Sequence, residues 1–296
     1  MNRLLELEER VSALGAPKTL ALAACEDANA LKALMDVRRA GWVRTLLFGD
    51  AEKTRRIAQQ EGIGLEGVEL EHHPEPEAAT AAAARAVASG RAQVLMKGKV
   101  ATASLLRAVL DKGNGLSAGG LLSHLALFEL PAYPKLLALT DAAMNIAPSL
   151  REKAAIVQNA VAFLRHLGYE LPLVAALAAV ETVSDKMPAT LEAAALAMMN
   201  RRGQIPGCLL DGPLALDNAV SPESARHKGI ESPVAGRADL LLFPSIESGN
   251  AVYKSLSLLA GGRVAAVILG AKCPIVLTSR ADSEDAKRMS ILLALA

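Results

Sequence analysis

Residues 93–113 read QVLMKGKVATASLLRAVLDKG, and the order of residue types in this stretch decides the fold class. Gln93–Met96 is a short apolar run, too brief for a helix, that ends on Lys97-Gly98-Lys99. Thr102–Lys112 then sets Leu105, Leu106, Val109 and Leu110 on one helical face, and Gly113 stops it. The unit is strand, polar loop, helix. It recurs outward in both directions. Further strands are predicted at Thr19–Ala24, Val43–Phe48, Val68–Glu71, Leu125–Phe128 and Leu136–Leu139. Beyond them come Leu173–Ala178, Gly207–Leu210, Leu240–Phe243, Val264–Leu269 and Ile275–Thr278. Helices are predicted at Glu75–Ser89, Ser149–Leu167, Pro188–Arg202 and Ser221–Lys228, each with a start signal and a terminating glycine. The N-terminal stretch and the closing AKRMSILLAL also carry helical spacing. Several strands are unbroken hydrophobics, as strands covered on both faces are. Strands alternating with helices predict an α/β fold with a mostly parallel sheet.

Composition narrows the function. The chain has 296 residues, enough for one large domain or two ordinary ones, and 52% are hydrophobic, so a sizeable core is available. Thirty-two Lys and Arg stand against 31 Asp and Glu, and the net charge of +1 gives no reason to expect nucleic acid or an anionic membrane as partner. Aromatics at 3% argue against a base-stacking surface. The three cysteines, Cys25, Cys208 and Cys273, are odd in number and widely spaced, which disfavours a disulfide framework and points to the cytoplasm. The N-terminus carries Arg3, Glu6, Glu8, Glu9 and Arg10 and lacks the apolar core of a signal peptide. The apolar run from Val174 to Val180 is far short of the ~20 residues that cross a bilayer.

In parallel α/β sheets the working residues gather where strands end and helices begin. Polar clusters follow five apparent strands: Lys97-Gly98-Lys99, Asp141 to Asn145, Asp211-Gly212-Pro213, Ser245 to Asn250, and Thr278 to Ser283. In the last, TSRADSED precedes a helical pattern. A helix start offers unpaired N–H groups and a positive dipole end, and Arg280 adds a fork of donors suited to phosphate. Ser279 adds a hydroxyl, and Asp282, Glu284 and Asp285 are candidate bases. The competing reading makes these residues an ordinary N-cap with dipole-favoured acids and a surface arginine. Lys97-Gly98 would let backbone approach an anion beside a charge, or is a plain turn between solvated lysines. Gly249 would allow close approach to a ligand beside Asn250 and Lys254, or begins a surface helix. The five histidines form no HxxxH or HExxH pattern, and GxSxG, GxGxxG and GxxxxGK[ST] are all absent. No metal site is expected.

Taken in register, LMKGKVATASLLRAVLDK, LSHLALFE, TDAAMNIAP, VAALAAVETVSDKMPAT, GQIPGCLLDGPLALDNAVS, HKGIESPVAG, ADLLLFPSIESGNAVYKSL and GAKCPIVLTSRADS resemble the phosphate acetyl/butyryltransferase family, with the butyryl branch the better match. The likeness runs from about residue 90 to 285. It implies a two-domain isocitrate/isopropylmalate dehydrogenase-like architecture, with residues 1–120 plus 266–296 as one α/β domain, 121–265 as the second, and the active site in the cleft between them. It implies the reversible reaction acyl-CoA plus phosphate to acyl phosphate plus CoA, in the cytoplasm, with CoA as substrate, no required cofactor, and a homodimer or higher homo-oligomer. By the same resemblance Ser279 and Arg280 position substrate and stabilise charge. It also implies that Arg107 meets phosphate or CoA and that Asn145, Asp211, Gly249, Asn250 and Lys254 line the cleft on the CoA side; with Lys97 and Gly98, read from the strand end above, Arg107 and Arg280 make the phosphate-binding set. The acetyl branch places its base six residues after the arginine, which here is Ala286. The base is therefore Asp285, one residue short, or Asp282 of the SRADS motif.

Rival readings are a metal-dependent oxidising decarboxylase on the same architecture, and a module that binds CoA or acyl phosphate without catalysis.

Overall fold

The computed structural model describes residues 1–277 and 282–296; Thr278, Ser279, Arg280 and Ala281 lie outside the described residues. The chain runs α1 (Glu6–Ser12), β1 (Lys18–Ala23), α2 (Ala28–Arg39), β2 (Val43–Gly49), α3 (Ala51–Gln60), β3 (Glu69–His72), α4 (Pro76–Ala88), β4 (Val94–Lys97) and α5 (Thr102–Leu110). It continues through β5 (Ser123–Glu129), β6 (Leu137–Thr140), α6 (Leu150–His166), β7 (Leu173–Leu177), α7 (Pro188–Arg201), β8 (Leu209–Leu214), α8 (Leu216–Val220), α9 (Pro222–His227), β9 (Leu240–Leu242) and α10 (Ile246–Leu258). The last elements are β10 (Arg263–Leu269), β11 (Ile275–Val276) and α11 (Glu284–Leu295).

Two compact units emerge. One comprises residues 5–120 and 265–296, and the other residues 1–4 and 121–264. In the first, the strand order is β3-β2-β1-β4-β11-β10, parallel except where β10 meets β11. Its core gathers Leu20, Leu22, Leu31, Leu34, Leu47, Phe48, Leu95 and Met96, all shut off from solvent. Both faces of β1 and β4 are buried, which is why they read as continuous hydrophobics. In the second unit the order is β5-β6-β9-β7-β8, with β5 antiparallel to β6 and the rest parallel. The first residues are tied into this unit: Leu4 N–H donates to Glu129 Oε2 at 3.1 Å and the Tyr169 hydroxyl to the Met1 carbonyl at 3.1 Å.

Two boundaries differ from the sequence reading for local reasons. The helix predicted to reach Lys112 ends at Leu110, because Asp111 turns extended and its carboxylate accepts from Gly113 N–H at 2.8 Å, opening a separate 3-10 turn. Strand β8 runs on through Asp211-Gly212-Pro213, expected as a loop. It lies at a sheet edge, where proline is tolerated, and its register against β7 shifts across this stretch. Helices α2 and α3, absent from the sequence reading, are each started by an aspartate, Asp27 and Asp50, that accepts first-turn N–H groups. Among the described residues no helix is long and apolar enough to cross a membrane.

Helix α6 shows the capping signal at work. Ser149 Oγ accepts from Glu152 N–H at 3.4 Å while Glu152 Oε2 accepts from Ser149 N–H at 2.8 Å. The Ser149 N–H, and then its hydroxyl donating to the same oxygen at 2.7 Å, hold the Glu152 carboxyl below its ordinary pKa. Ser149→Ala is expected to cost about 1 kcal/mol in urea unfolding at neutral pH. A carboxylate with a depressed folded-state pKa stabilises above its unfolded value and loses that contribution as pH falls, so the gap between variant and parent narrows below about pH 4. Equal midpoints at pH 7 would show the box to be idle.

Candidate functional site

In the first unit the winding of the sheet changes direction between β1 and β4, the kind of point at which α/β sheets open a crevice beyond their strand ends. Lys97 lies there, paired in register with Ala23. Just past this pair the two chains stay hydrogen-bonded to each other. Gly98 N–H donates to the Ala23 carbonyl at 2.8 Å and Lys99 N–H to the Ala24 carbonyl at 2.7 Å. A Cβ on Gly98 would stand 2.2 Å from the Ala24 oxygen, so the neighbouring strand end itself requires a glycine. Lys97 is half-buried, and its ammonium donates to the carbonyls of Gly98 and Val100 at 3.1 Å each. The next strand over, β11, pairs Val276 with Met96, so the chain leaves the sheet one strand from Lys97. Arg107 is exposed in the last turn of α5.

After the undescribed residues, Ser283 caps α11 by accepting from Ala286 N–H at 3.1 Å. Asp282 precedes the cap and Asp285 is the second helical residue, both half-buried. The buried Lys287 donates from its ammonium to the Asp282 carbonyl. Sequence reasoning passed over this lysine, which looks like any surface cation between Ala286 and Arg288; only the packing of α11 reveals it. Ser279 and Arg280 lie outside the described residues.

In the second unit three of the candidates come together around a loop the sequence marked only as polar. Asp141 follows β6 and is 3% exposed. Its Oδ1 accepts from Ala143 N–H at 2.8 Å and Met144 N–H at 2.9 Å, curling the loop on itself. Its Oδ2 accepts from His124 N–H on β5 at 3.1 Å and from the Asn145 amide at 2.6 Å. The start of α10 docks on this loop. A Cβ on Gly249 would lie 2.3 Å from the Asp141 carbonyl oxygen, the Asn250 amide donates to the Ala142 carbonyl at 3.0 Å, and Ile246 N–H donates to the Ile146 carbonyl at 2.9 Å. The close approach that Gly249 permits is therefore to this loop. Lys254 is exposed four residues after Asn250, on the same face of α10. Asp211 is not part of the cluster. It lies on β8, three strand spacings or about 14 Å from β6, and accepts from Gly212 N–H at 2.9 Å.

Between the ends of β7 and β9, where the second sheet changes winding direction, a small crevice is lined by Ala176, Leu177, Leu242, Phe243 and Pro244 together with side chains of α6 and α7. The buried Lys153 forms part of its wall and pairs with Glu192. No motif announced this pair. The three cysteines are free and buried, and burial pushes their thiols up, to about 12 for Cys25 and about 11 for Cys208 and Cys273. A thiol with such a pKa carries almost no thiolate at neutral pH and is a poor nucleophile.

The chain matches the family model described as phosphate acetyl/butaryl transferase over residues 70–295. It is 50% identical over 280 residues to a Bacillus subtilis (strain 168) protein named probable phosphate butyryltransferase, covering 94% of this chain and 92% of that one. It is 43% identical to a phosphate acetyltransferase of Thermotoga maritima, covering 95% and 96%. Among solved structures it resembles a branched-chain phosphotransacylase from Enterococcus faecalis V583, with a TM-score of 0.84, 33% identity, and 94% and 98% of the two chains covered. A likeness in fold alone extends to 4-hydroxythreonine-4-phosphate dehydrogenase from Klebsiella pneumoniae, with a TM-score of 0.55 at 14% identity and coverage of 94% and 98%.

Gly249→Ala is expected to push α10 off the loop and to lower the thermal midpoint by several degrees, since overpacking of this kind costs ~1–3 kcal/mol. A midpoint equal to the parent's would remove the docking contact from the account.

Proposed function

This chain is an acyltransferase of the phosphate acetyl/butaryl transferase family, and from that premise we propose that it favours butyryl-type acyl chains over acetyl. It moves a short acyl group reversibly between the sulfur of CoA and inorganic phosphate. The observation that carries the reading is the family match over residues 70–295, which includes every candidate side chain from Lys97 to Asp285. The butyryl preference is supported by 50% identity to the Bacillus subtilis protein named probable phosphate butyryltransferase.

In the direction that consumes acyl phosphate, the CoA sulfur attacks the carbonyl carbon, the carbon–oxygen bond to phosphate breaks, and phosphate leaves. A thiol near pKa ~8.5 needs a proton acceptor, the role proposed for Asp285 or Asp282. Arg280 meets the developing charge on phosphate, and Ser279 orients it. Lys97, Gly98 and Arg107 are proposed on the phosphate side, and Asn145, Asp211, Gly249, Asn250 and Lys254 on the CoA side. The candidate residues thus come from both units, which we take as the two domains that the family resemblance implies. Holding both substrates together removes much of the entropic cost of their encounter. The raised cysteine pKa values favour direct transfer over a cysteine acyl-enzyme. The same free thiols support a reducing cytoplasmic setting. Exposed Met187, Leu191 and Met198 on and beside α7 support a homo-oligomer.

The test supplies acetyl-, propionyl- and butyryl-CoA with phosphate and follows thiol release. Turnover is expected with all three and the highest kcat/KM with butyryl-CoA; no turnover with any of them would sink the reading, and a preference for acetyl-CoA would sink the butyryl assignment. Arg280→Ala is expected to lose about 100- to 1,000-fold in kcat while remaining folded by circular dichroism. Cys25→Ser, Cys208→Ser and Cys273→Ser are each expected to keep activity per folded molecule. Loss of turnover in any one, with folding intact, would reopen the covalent route.

A further inference from the structure

Asn145 is held so that only one end of its amide is available to a ligand. Both N–H bonds of its Nδ2 are engaged, one with Asp141 Oδ2 at 2.6 Å and the other with the Leu122 carbonyl at 2.9 Å. Those partners also decide which end is nitrogen. Turned around, the amide oxygen would face a carboxylate and a carbonyl, acceptors both. Oδ1 is left as an acceptor with no donor among the described residues, on a side chain that is half-exposed. Asn250 is engaged less fully: its Nδ2 donates once, to the Ala142 carbonyl at 3.0 Å, which leaves one N–H as well as Oδ1 to face a ligand.

A fixed acceptor such as Asn145 Oδ1 is the wrong chemistry for phosphate, whose oxygens are themselves mostly acceptors near neutral pH. It suits the other substrate. The pantetheine arm of CoA carries two secondary amides, each with an N–H to donate. We propose that Asn145 Oδ1 accepts one amide N–H of the pantetheine arm of CoA, and that Asp141 is the positioning residue that keeps Asn145 facing this way. The inference rests on the acyl-transfer reading, which supplies CoA as ligand. Asp141 takes no proton in this scheme. Its two oxygens already accept four N–H bonds, the number of lone-pair sites a carboxylate has.

The test measures kcat and both KM values, for butyryl-CoA and for phosphate, in the parent, Asn145→Ala, Asp141→Asn and the double variant. Loss of one hydrogen bond of this kind is expected to raise the butyryl-CoA KM of Asn145→Ala about tenfold, with the phosphate KM within about twofold of the parent. Asp141→Asn replaces one of the two oxygens by NH₂ and takes away the charge that holds the Asn145 amide, and is expected to show the same CoA-side pattern. The double variant is expected to add less than about twofold to Asn145→Ala alone, because both changes remove one contact. Parent-like kinetics in Asn145→Ala, a rise confined to the phosphate KM, or additive losses in the double variant would each overturn the proposal. If Asp141→Asn does not fold, Asn145→Ala alone decides the contact with CoA. Calorimetry with CoA separates this inference from the one beneath it. A parent that turns over nothing, yet binds CoA about tenfold more tightly than Asn145→Ala, overturns acyl transfer and keeps the contact. A parent that turns over, with Asn145→Ala binding CoA as tightly, overturns the contact alone.

Discussion

A carboxylate shut away from water, with no cation beside it among the described residues, organises the end of β6. Burying such a charge costs several kcal/mol unless hydrogen bonds replace its hydration. Asp141 meets that requirement with four N–H groups: two from the loop that follows it, one from the neighbouring strand, and one from the side chain of Asn145. Much local geometry follows from this. The loop curls tightly, so the Asp141 and Ala142 carbonyls stand where α10 must pass. Gly249 is the residue that lets it pass, and Asn250 bonds to what it passes over. A helix start, a strand end and the Asn145 amide are thus tied to one charge.

The α/β class was legible because it is written in short-range patterns. Runs such as LALA in β1 are continuous because both faces are covered, and capped stretches such as Ser149 to Glu152 announce a helix by chemistry that spans three residues. What could not be read was chemistry that depends on which strands become neighbours. Gly98 and Gly249 read as places of close approach, but no sequence pattern names the carbonyl oxygens of Ala24 and Asp141 that stand where a Cβ would go, distant in sequence and adjacent only after folding. Asp211 and Asn145 each follow an apolar run and share the CoA side in the family resemblance; that the strand order puts β9 and β7 between their strands is not written in either run. Lys153 and Lys287, both buried, carried no signal, since a lysine in a helix is exposed far more often than not.

The same reasoning separates polar side chains by what remains of their bonding capacity after folding. Lys97 donates to two carbonyls of its own loop. The cysteines have lost acidity to burial, which removes a nucleophile that composition alone would have allowed. Asp141 has all its acceptor sites filled. A residue of suitable type at a strand end is therefore only a candidate; its neighbours decide whether a proton, a charge or a lone pair is left to offer.

Asparagine is informative under this test because its two ends are chemically opposite and nearly the same shape. A loose asparagine turns to suit whatever arrives and discriminates little. Once a neighbour consumes the NH₂, the residue becomes a one-sided reader that accepts N–H and repels oxygen anions. Asp141 imposes that state on Asn145 at no cost to itself, since the amide supplies one of the four donors the carboxylate needs. The bond that makes the buried charge tolerable is also the bond that sets the polarity Asn145 shows to a ligand, so stability and recognition here share a single hydrogen bond.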